Sequence, residues 1–337
     1  MATTADPSVD RQLRLMGTHI RILVGPVAHP GMPDPAAAAD QVEAFLRSYE
    51  AALSRFRPDS ELCALNADPR TEVPASDLLR SAVRAALEAA QISGGLVDPT
   101  LLGALEDAGY VESWDRARRV DLRTALSESR APRRPASPGA PDWTSVHVDD
   151  EAGTIRRPPG LRLDTGGSGK GHAADLAATL LFEGYQHWAV DCGGDLRIGG
   201  ASGAARDVEL EDPFTGASLP GFQARRGAVA TSGLRSRLWR EPDGEIRHHL
   251  LDPSTGRPAF TGLVAVTALA PSAVEAEALA KEALLRGPLG ARTVLAAHGG
   301  ITVAEDGSVD RIGRLEPAPR VRFRLPSPTI QPPRSAA

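Results

Sequence analysis

Two stretches of the chain carry apolar residues every three or four positions, the spacing of one buried helical face. Val42, Phe45, Leu46, Tyr49, Leu53 and Phe56 predict the first helix, and their stripe belongs to the core. Leu78, Leu79, Ala82, Val83, Ala86 and Ala90 predict a second over 76–92, stopped by Gly94 and Gly95. Shorter apolar runs predict strands at 19–24, 161–163, 188–191, 195–198 and 264–269, with a last short pair near 301–313. A helix reaching about 183 follows the strand at 161–163, and another spans 272–286. Strands and helices interleave without a regular βαβ rhythm, which favours an α+β fold over a doubly wound sheet. Three segments lack a pattern: 1–11, a charged and proline-rich surface loop at 113–142, and a proline-rich tail at 316–337. Within the tail, Val321, Phe323 and Leu325 alternate as an edge strand would. One domain over 12–315 is expected.

Composition narrows the function classes. A chain of 337 residues, 42% hydrophobic, has enough apolar side chains for a large core. Its apolar runs break within about a dozen residues, short of the roughly 20 that cross a bilayer, so no membrane insertion is expected. The first residues lack a basic start followed by an apolar block, so a cytoplasmic location is expected. The net charge is −5 and no basic stripe is interleaved with aromatics, which argues against nucleic acid as a partner. Cys63 and Cys192 form no metal-ligating or disulfide pattern and read as buried thiols. Of 38 basic residues only Lys170 and Lys281 are lysines. Lysine is a compact point charge and arginine a wide planar fork, so both lysines are candidates for a site.

Five segments carry candidate chemistry. In 161–177, Gly166, Gly167, Gly169 and Gly171 surround Lys170 between the expected strand and helix, following Asp164. Such a loop lets backbone N–H groups and a helix N-terminus close on a phosphate, although a tight turn alone also uses glycine. The spacing matches neither a Walker A loop nor the dinucleotide fingerprint. Asp191 and Asp195 flank Gly193 and Gly194 in what a strand-to-strand turn would also explain. Thr231 and Ser232, before Gly233, offer a polar loop to a ligand. His248 and His249 precede the turn signal Asp252-Pro253-Ser254-Thr255-Gly256, and a histidine of near-neutral pKa is a natural general base. Ser272 and Glu275 form a capping box, after which Glu277 and Lys281 lie four apart on one helical face.

Taken in order, these segments resemble the FAD:protein FMN transferase family, the ApbE-like flavin transferases. The resemblance covers Met16 to about Gly287. It rests on Met16-Gly17-Thr18, on Phe56 to Asn66, on Gly94 to Thr100 and on Asp164 to Asp175. Gly193 to Asp195, Ala230 to Gly233, His249 to Pro258 and Glu275 to Lys281 complete it. It implies a single mixed α/β domain of the ApbE-like, T-fold-related type. It also implies an enzyme that cleaves FAD, moves FMN onto a Ser or Thr of an acceptor protein and releases AMP with the help of Mg2+. On this resemblance the catalytic residues are His249, Lys170 and Asp252. The flavin nucleotide would be bound by Met16, Phe56, Asp98, Asp164, Gly166, Gly167, Gly169, Lys170, Asp175, Gly194, Asp195, Thr231, Ser232 and His249. The metal would be held by a backbone carbonyl at Gly167, by Glu277 and by position 281.

Three departures stand out. Position 281 is a lysine, and a charged ammonium has no lone pair to give a metal. Lys281, held by Glu277, is therefore expected to act as a fixed positive charge in part of the metal's place, with magnesium dependence weakened or lost. Ser168 and Gly169 replace the usual apolar and alanine residues of the loop. Phe56 stands for a tyrosine and His172 for an aromatic, changes that flavin stacking tolerates. Besides the transferase, a flavin-binding protein of the same fold that no longer transfers FMN fits these departures. A purely structural domain leaves the ordered polar segments unexplained.

Overall fold

The computed structural model describes residues 8–112 and 119–317. Its centre is a sheet of eight strands: β1 (Val9–Leu15), β2 (Thr18–Val24), β3 (Trp188–Cys192), β4 (Asp195–Gly199), β5 (Gly227–Gly233), β6 (Leu263–Ala270), β7 (Gly300–Ala304) and β8 (Val309–Ile312). They lie side by side in chain order, each antiparallel to the next. This up-and-down order departs from a doubly wound sheet and agrees with the α+β class. Strands β3 and β4 are joined through Gly193 and Gly194 at φ of +74° and +96°. Two successive left-handed residues make the tight hairpin turn that fits strand twist, which is why both are glycine.

The helices that matter are α1 (Pro35–Leu53), α2 (Asp77–Ile92), α3 (Gly169–Thr179) and α4 (Ala273–Leu285). Val42, Leu46, Tyr49 and Leu53 of α1 are buried in one core cluster with Ile20, Ile22 and Val24 of β2 and with Ala173, Ala174 and Ala177 of α3. Asp34 caps α1 by accepting the N–H groups of Ala36 and Ala37, and Ser76 caps α2 by accepting that of Leu79. Ala228 and Ala230 of β5 join that cluster, whereas the intervening Val229 packs with Val208, Leu210 and Phe222. Strand alternation thus separates a helical layer on one face from a short hairpin, 206–224, on the other. α4 is buried on nearly every side, and its small alanines allow close contact with its neighbours.

Several expectations change. No strand forms at 161–163; Leu163 is instead fixed by both amide atoms of Asn66, at 2.8 Å each. The polar segment around Thr231 and Ser232 lies mostly within β5, a central strand. Its run of small residues hid its strand character. α3 ends at Thr179, short of the expected 183. β1 begins at Val9, inside the segment expected to be peripheral. Within 113–142 a helix forms at Leu122–Glu128, burying Leu122 and Ala125. The alternation at Val321, Phe323 and Leu325 falls outside the described residues. Among the described residues, no helix is long and apolar enough to cross a membrane.

Candidate active site

A cavity of about 510 Å³ opens between the glycine loop, the end of β5 and the face of α4 that carries Glu277, Lys281 and Leu285. That size suits a small-molecule or cofactor site. It gathers Met16, Phe56, Asp98, Asp164, Gly166, Gly167, Gly169, Lys170, Thr231, Ser232, His249, Glu277 and Lys281 from among the residues expected in the site. These side chains come from segments over 260 residues apart, so only the folded sheet brings them together.

The glycine loop is built locally. Asp164 Oδ1 accepts the Gly166 N–H at 2.8 Å, and Asp164 Oδ2 faces Arg55 Nε at 3.3 Å. A short turn over Thr165–Gly167 then leads into α3, whose first residue is Gly169. At Gly171 a Cβ would lie 2.5 Å from the Ala273 carbonyl oxygen, so only glycine lets α3 approach α4 this closely. Behind the loop, Tyr49 Oη donates to the Gly169 carbonyl at 2.9 Å and meets His172 Nδ1 at 3.0 Å. His172 Nε2 meets Ser81 Oγ at 2.9 Å, tying α1, α2 and α3 together. His172 therefore braces the loop from the core and does not line the cavity.

Lys170 points from the loop into a buried charged cluster. Its Nζ pairs with Asp195 and sits 3.2 Å from Glu277 Oε1. Lys281 Nζ lies 2.7 Å from the same oxygen, and Glu277 Oε2 accepts the Gly171 N–H at 2.9 Å. Burial alone would raise the Glu277 carboxyl, but Lys170 and Lys281 override it and hold it below its ordinary value. Burial, then Glu277, push Asp195 up. For Lys170 burial is outweighed by Asp195 and Glu277, so its ammonium is held above its usual range. Burial lowers Lys281, opposed by Glu277.

His249 stands on the cavity wall after the short strand Ile246–His248. Burial, followed by the charges of Arg237, His248 and Lys281, holds its imidazole well below 6.5. It is neutral at physiological pH and free to accept a proton. Its neighbour His248 faces the core, fully buried, edge-on to Phe260 at 4.7 Å. The two neighbours thus point apart, His248 into the core and His249 onto the cavity lining.

Four expected residues lie elsewhere. Asp252 is buried behind the loop, where its Oδ1 accepts from Ser137 N, Ser254 N and Ser254 Oγ at 3.1, 3.0 and 2.7 Å. It shapes the turn after His249 and does not reach the cavity. Asp175 accepts the Ala273 and Val274 N–H groups at 2.9 Å each and pairs with Arg197 at 2.8 Å, anchoring the start of α4. Asp195 and Gly194 sit one layer behind the lining, Asp195 acting through Lys170.

Sequence reasoning missed a stack beside the glycine loop, on the cavity lining. The Arg55 guanidinium lies 4.1 Å from the Phe56 ring centre and 4.4 Å from that of Tyr110, while Arg237 lies 5.7 Å from Tyr110. Phe56 meets Tyr110 edge-on at 5.4 Å. These flat faces suit an aromatic ring system. The scarcity of tyrosine, three in the chain, was the only signal that could have marked Tyr110.

The buried imidazoles make stability depend on acid. Burial lowers His172 to about 4 and His248 to about 3. Groups depressed by the fold contribute stability above their unfolded value of about 6.5, and lose it as pH falls toward the folded values. At about pH 5 the two together cost about 4 kcal/mol. The thermal midpoint is expected to fall by roughly 5–10 °C between about pH 7.5 and about pH 5. A midpoint that stays flat over that interval would mean the histidines are not buried neutral.

Known proteins are similar to this chain in sequence and fold. The ApbE family model matches residues 16–304. The FAD:protein FMN transferase of Treponema pallidum is 31% identical over 280 residues, covering 74% of this chain and 72% of its own. That of Escherichia coli K12 is 27% identical over 294 residues, covering 85% and 80%. The crystal structure of the ApbE protein from Thermotoga maritima superposes with a TM-score of 0.73 at 25% identity, over 90% of this chain and 97% of that one. The apo form of the Pseudomonas stutzeri flavinyl transferase ApbE gives 0.69 at 24% identity, over 94% and 96%, a likeness of fold. With a family match across most of its length and the glycine loop, buried lysine and histidine on one cavity wall, this chain belongs to the ApbE family.

Proposed function

We propose that this chain is an FAD:protein FMN transferase, acting on the pyrophosphate of FAD and a serine or threonine hydroxyl of an acceptor protein. The observation that carries the reading is His249, neutral by burial and surrounding positive charge, on the same cavity as the glycine loop and Lys170. In this reading the loop N–H groups and Lys170 hold the pyrophosphate, and the aromatic wall of Phe56 and Tyr110 takes a ring of the dinucleotide. His249 accepts the proton of the acceptor hydroxyl. The hydroxyl oxygen attacks the phosphorus on the riboflavin side and forms the new P–O bond. The bond to the AMP oxygen breaks, and AMP leaves with its electron pair. Positioning and fixed charge carry most of such a reaction. Acceptor protein bearing flavin fluorescence after denaturing electrophoresis, with AMP released, is the test; free flavin alone would refute it.

Arg237 adds a charge that sequence reasoning did not single out. It lines the cavity and, among the described residues, makes no ion pair with a carboxylate. An uncompensated guanidinium beside a phosphate site is suited to a phosphate oxygen. Arg237→Ala is expected to weaken FAD about tenfold, the scale of one charge-assisted hydrogen bond. It also removes a charge that depresses His249, so the acid limb of the kcat/KM profile moves to higher pH. An unmoved limb would separate Arg237 from the base.

Magnesium, which the family resemblance implies, does not fit the donor set. Both Glu277 oxygens are occupied, Oε1 by two ammonium groups and Oε2 by a backbone N–H. Lys281 offers no lone pair. No step above is therefore routed through a metal.

A further inference from the structure

That mismatch points to how the site meets the charge of its substrate. Glu277 is completely buried, one turn before Lys281 on α4, and its carboxylate lies between two ammonium groups. Lys170 approaches from the glycine loop and Lys281 from the helix, and both line the cavity. A hard divalent cation binds carboxylate oxygen at about 2.0–2.1 Å and needs several oxygens around it. Here the Lys281 ammonium stands 2.7 Å from Glu277 Oε1, on the cavity side where such a cation would approach. A metal would have to displace that ammonium and then tolerate it as a like charge a few ångströms away.

The charge count agrees. Asp195 and Glu277 are the carboxylates of the cluster, and Lys170 alone would leave one negative charge in excess. An excess of that sign is what a divalent cation neutralises with charge to spare for a phosphate. Lys281 brings these four groups to neutrality from within the chain, and Arg237 on the cavity lining adds the charge left over for a phosphate. The contact of Lys281 with Glu277, one turn back on the same helix, holds its head at a fixed point without a bound ion.

We infer that the Lys170–Glu277–Lys281 cluster is a built-in cation site that replaces a divalent metal, so that this chain handles the FAD pyrophosphate without one. The inference rests on the transferase reading, and its test separates the two. The purified protein is stripped with a chelator, and AMP release from FAD in the presence of an acceptor protein is measured with and without magnesium for wild type, Lys281→Thr and Lys281→Met. In parallel, Mn2+ binding is followed by its electron paramagnetic resonance signal.

The expected result is a wild-type rate unchanged by chelator and no Mn2+ bound at the concentration that occupies the Lys281→Thr protein. Lys281→Thr supplies an oxygen ligand and removes one of the two ammonium groups on Glu277 Oε1. It should lose about 100-fold without metal, the scale of removing one preorganised charge, and recover on adding magnesium. Lys281→Met, which removes the charge and offers no oxygen ligand, should lose rate and not recover. Wild-type activity that collapses in chelator, or Mn2+ bound by wild type as tightly as by Lys281→Thr, would overturn the inference. If neither protein released AMP in any condition the transferase reading would fail, and the Mn2+ comparison would still decide the cation site. Should the variants not fold, the chelator and Mn2+ measurements on wild type decide it alone.

Discussion

His249→Ala lowers FMN transfer and AMP release by about 10²–10⁴-fold, the usual contribution of a positioned general base, and leaves FAD bound. The side chain lines the cavity but is uncharged, so its removal costs the nucleotide no ion pair. Because Arg237, His248 and Lys281 add to burial in depressing it, the imidazole stays deprotonated well into mildly acidic solution. Wild-type kcat/KM should therefore be flat from about pH 8 to about pH 6, where an ordinary histidine of pKa about 6.5 would already be losing activity. Stopped-time AMP assays across pH, with FAD affinity from fluorescence quenching, check both parts. Equal loss of binding and transfer in His249→Ala would make the residue structural.

Lys170→Ala weakens FAD by about tenfold or more while FMN and riboflavin lose less, because only FAD presents the full pyrophosphate to the loop. The substitution also removes the partner of Asp195, which has no exposed surface. Stranding a buried carboxylate costs about 3–5 kcal/mol, unless it takes up a proton. Asp195 is already pushed up by burial and by Glu277, so protonation relieves part of that cost. A lower melting temperature is expected as well. The ratio of FAD to riboflavin affinity is the discriminating readout, since a general loss of structure would weaken all three flavins alike.

What could be read from the chain depended on how local the cause was. Helices α1 and α2 announced themselves through apolar spacing, and α4 through the Ser272 cap, which acts within three residues. β5 escaped because Ala228, Ala230 and Gly233 carry little strand preference; it is held by β4 and β6, neighbours remote in sequence. Resemblance placed His249, Lys170 and the glycine loop on one site, where the fold brings them together. It also suggested Asp252 and Asp175, whose carboxylates are occupied by backbone N–H groups in turns and caps that the chain displays only once folded. The wall of Arg55, Tyr110 and Arg237 has no sequence motif at all, since its members meet through stacking between separate loops.

The most direct test of the account is mass spectrometry of an acceptor protein carrying the family's serine or threonine, after incubation with FAD and this chain, with AMP measured in the same sample. One FMN phosphoester on that residue is expected for each AMP released, with both products reduced about 10²–10⁴-fold when His249 is alanine. Tight FAD binding with no AMP and an acceptor of unchanged mass would contradict it, leaving a flavin-binding protein on a transferase fold.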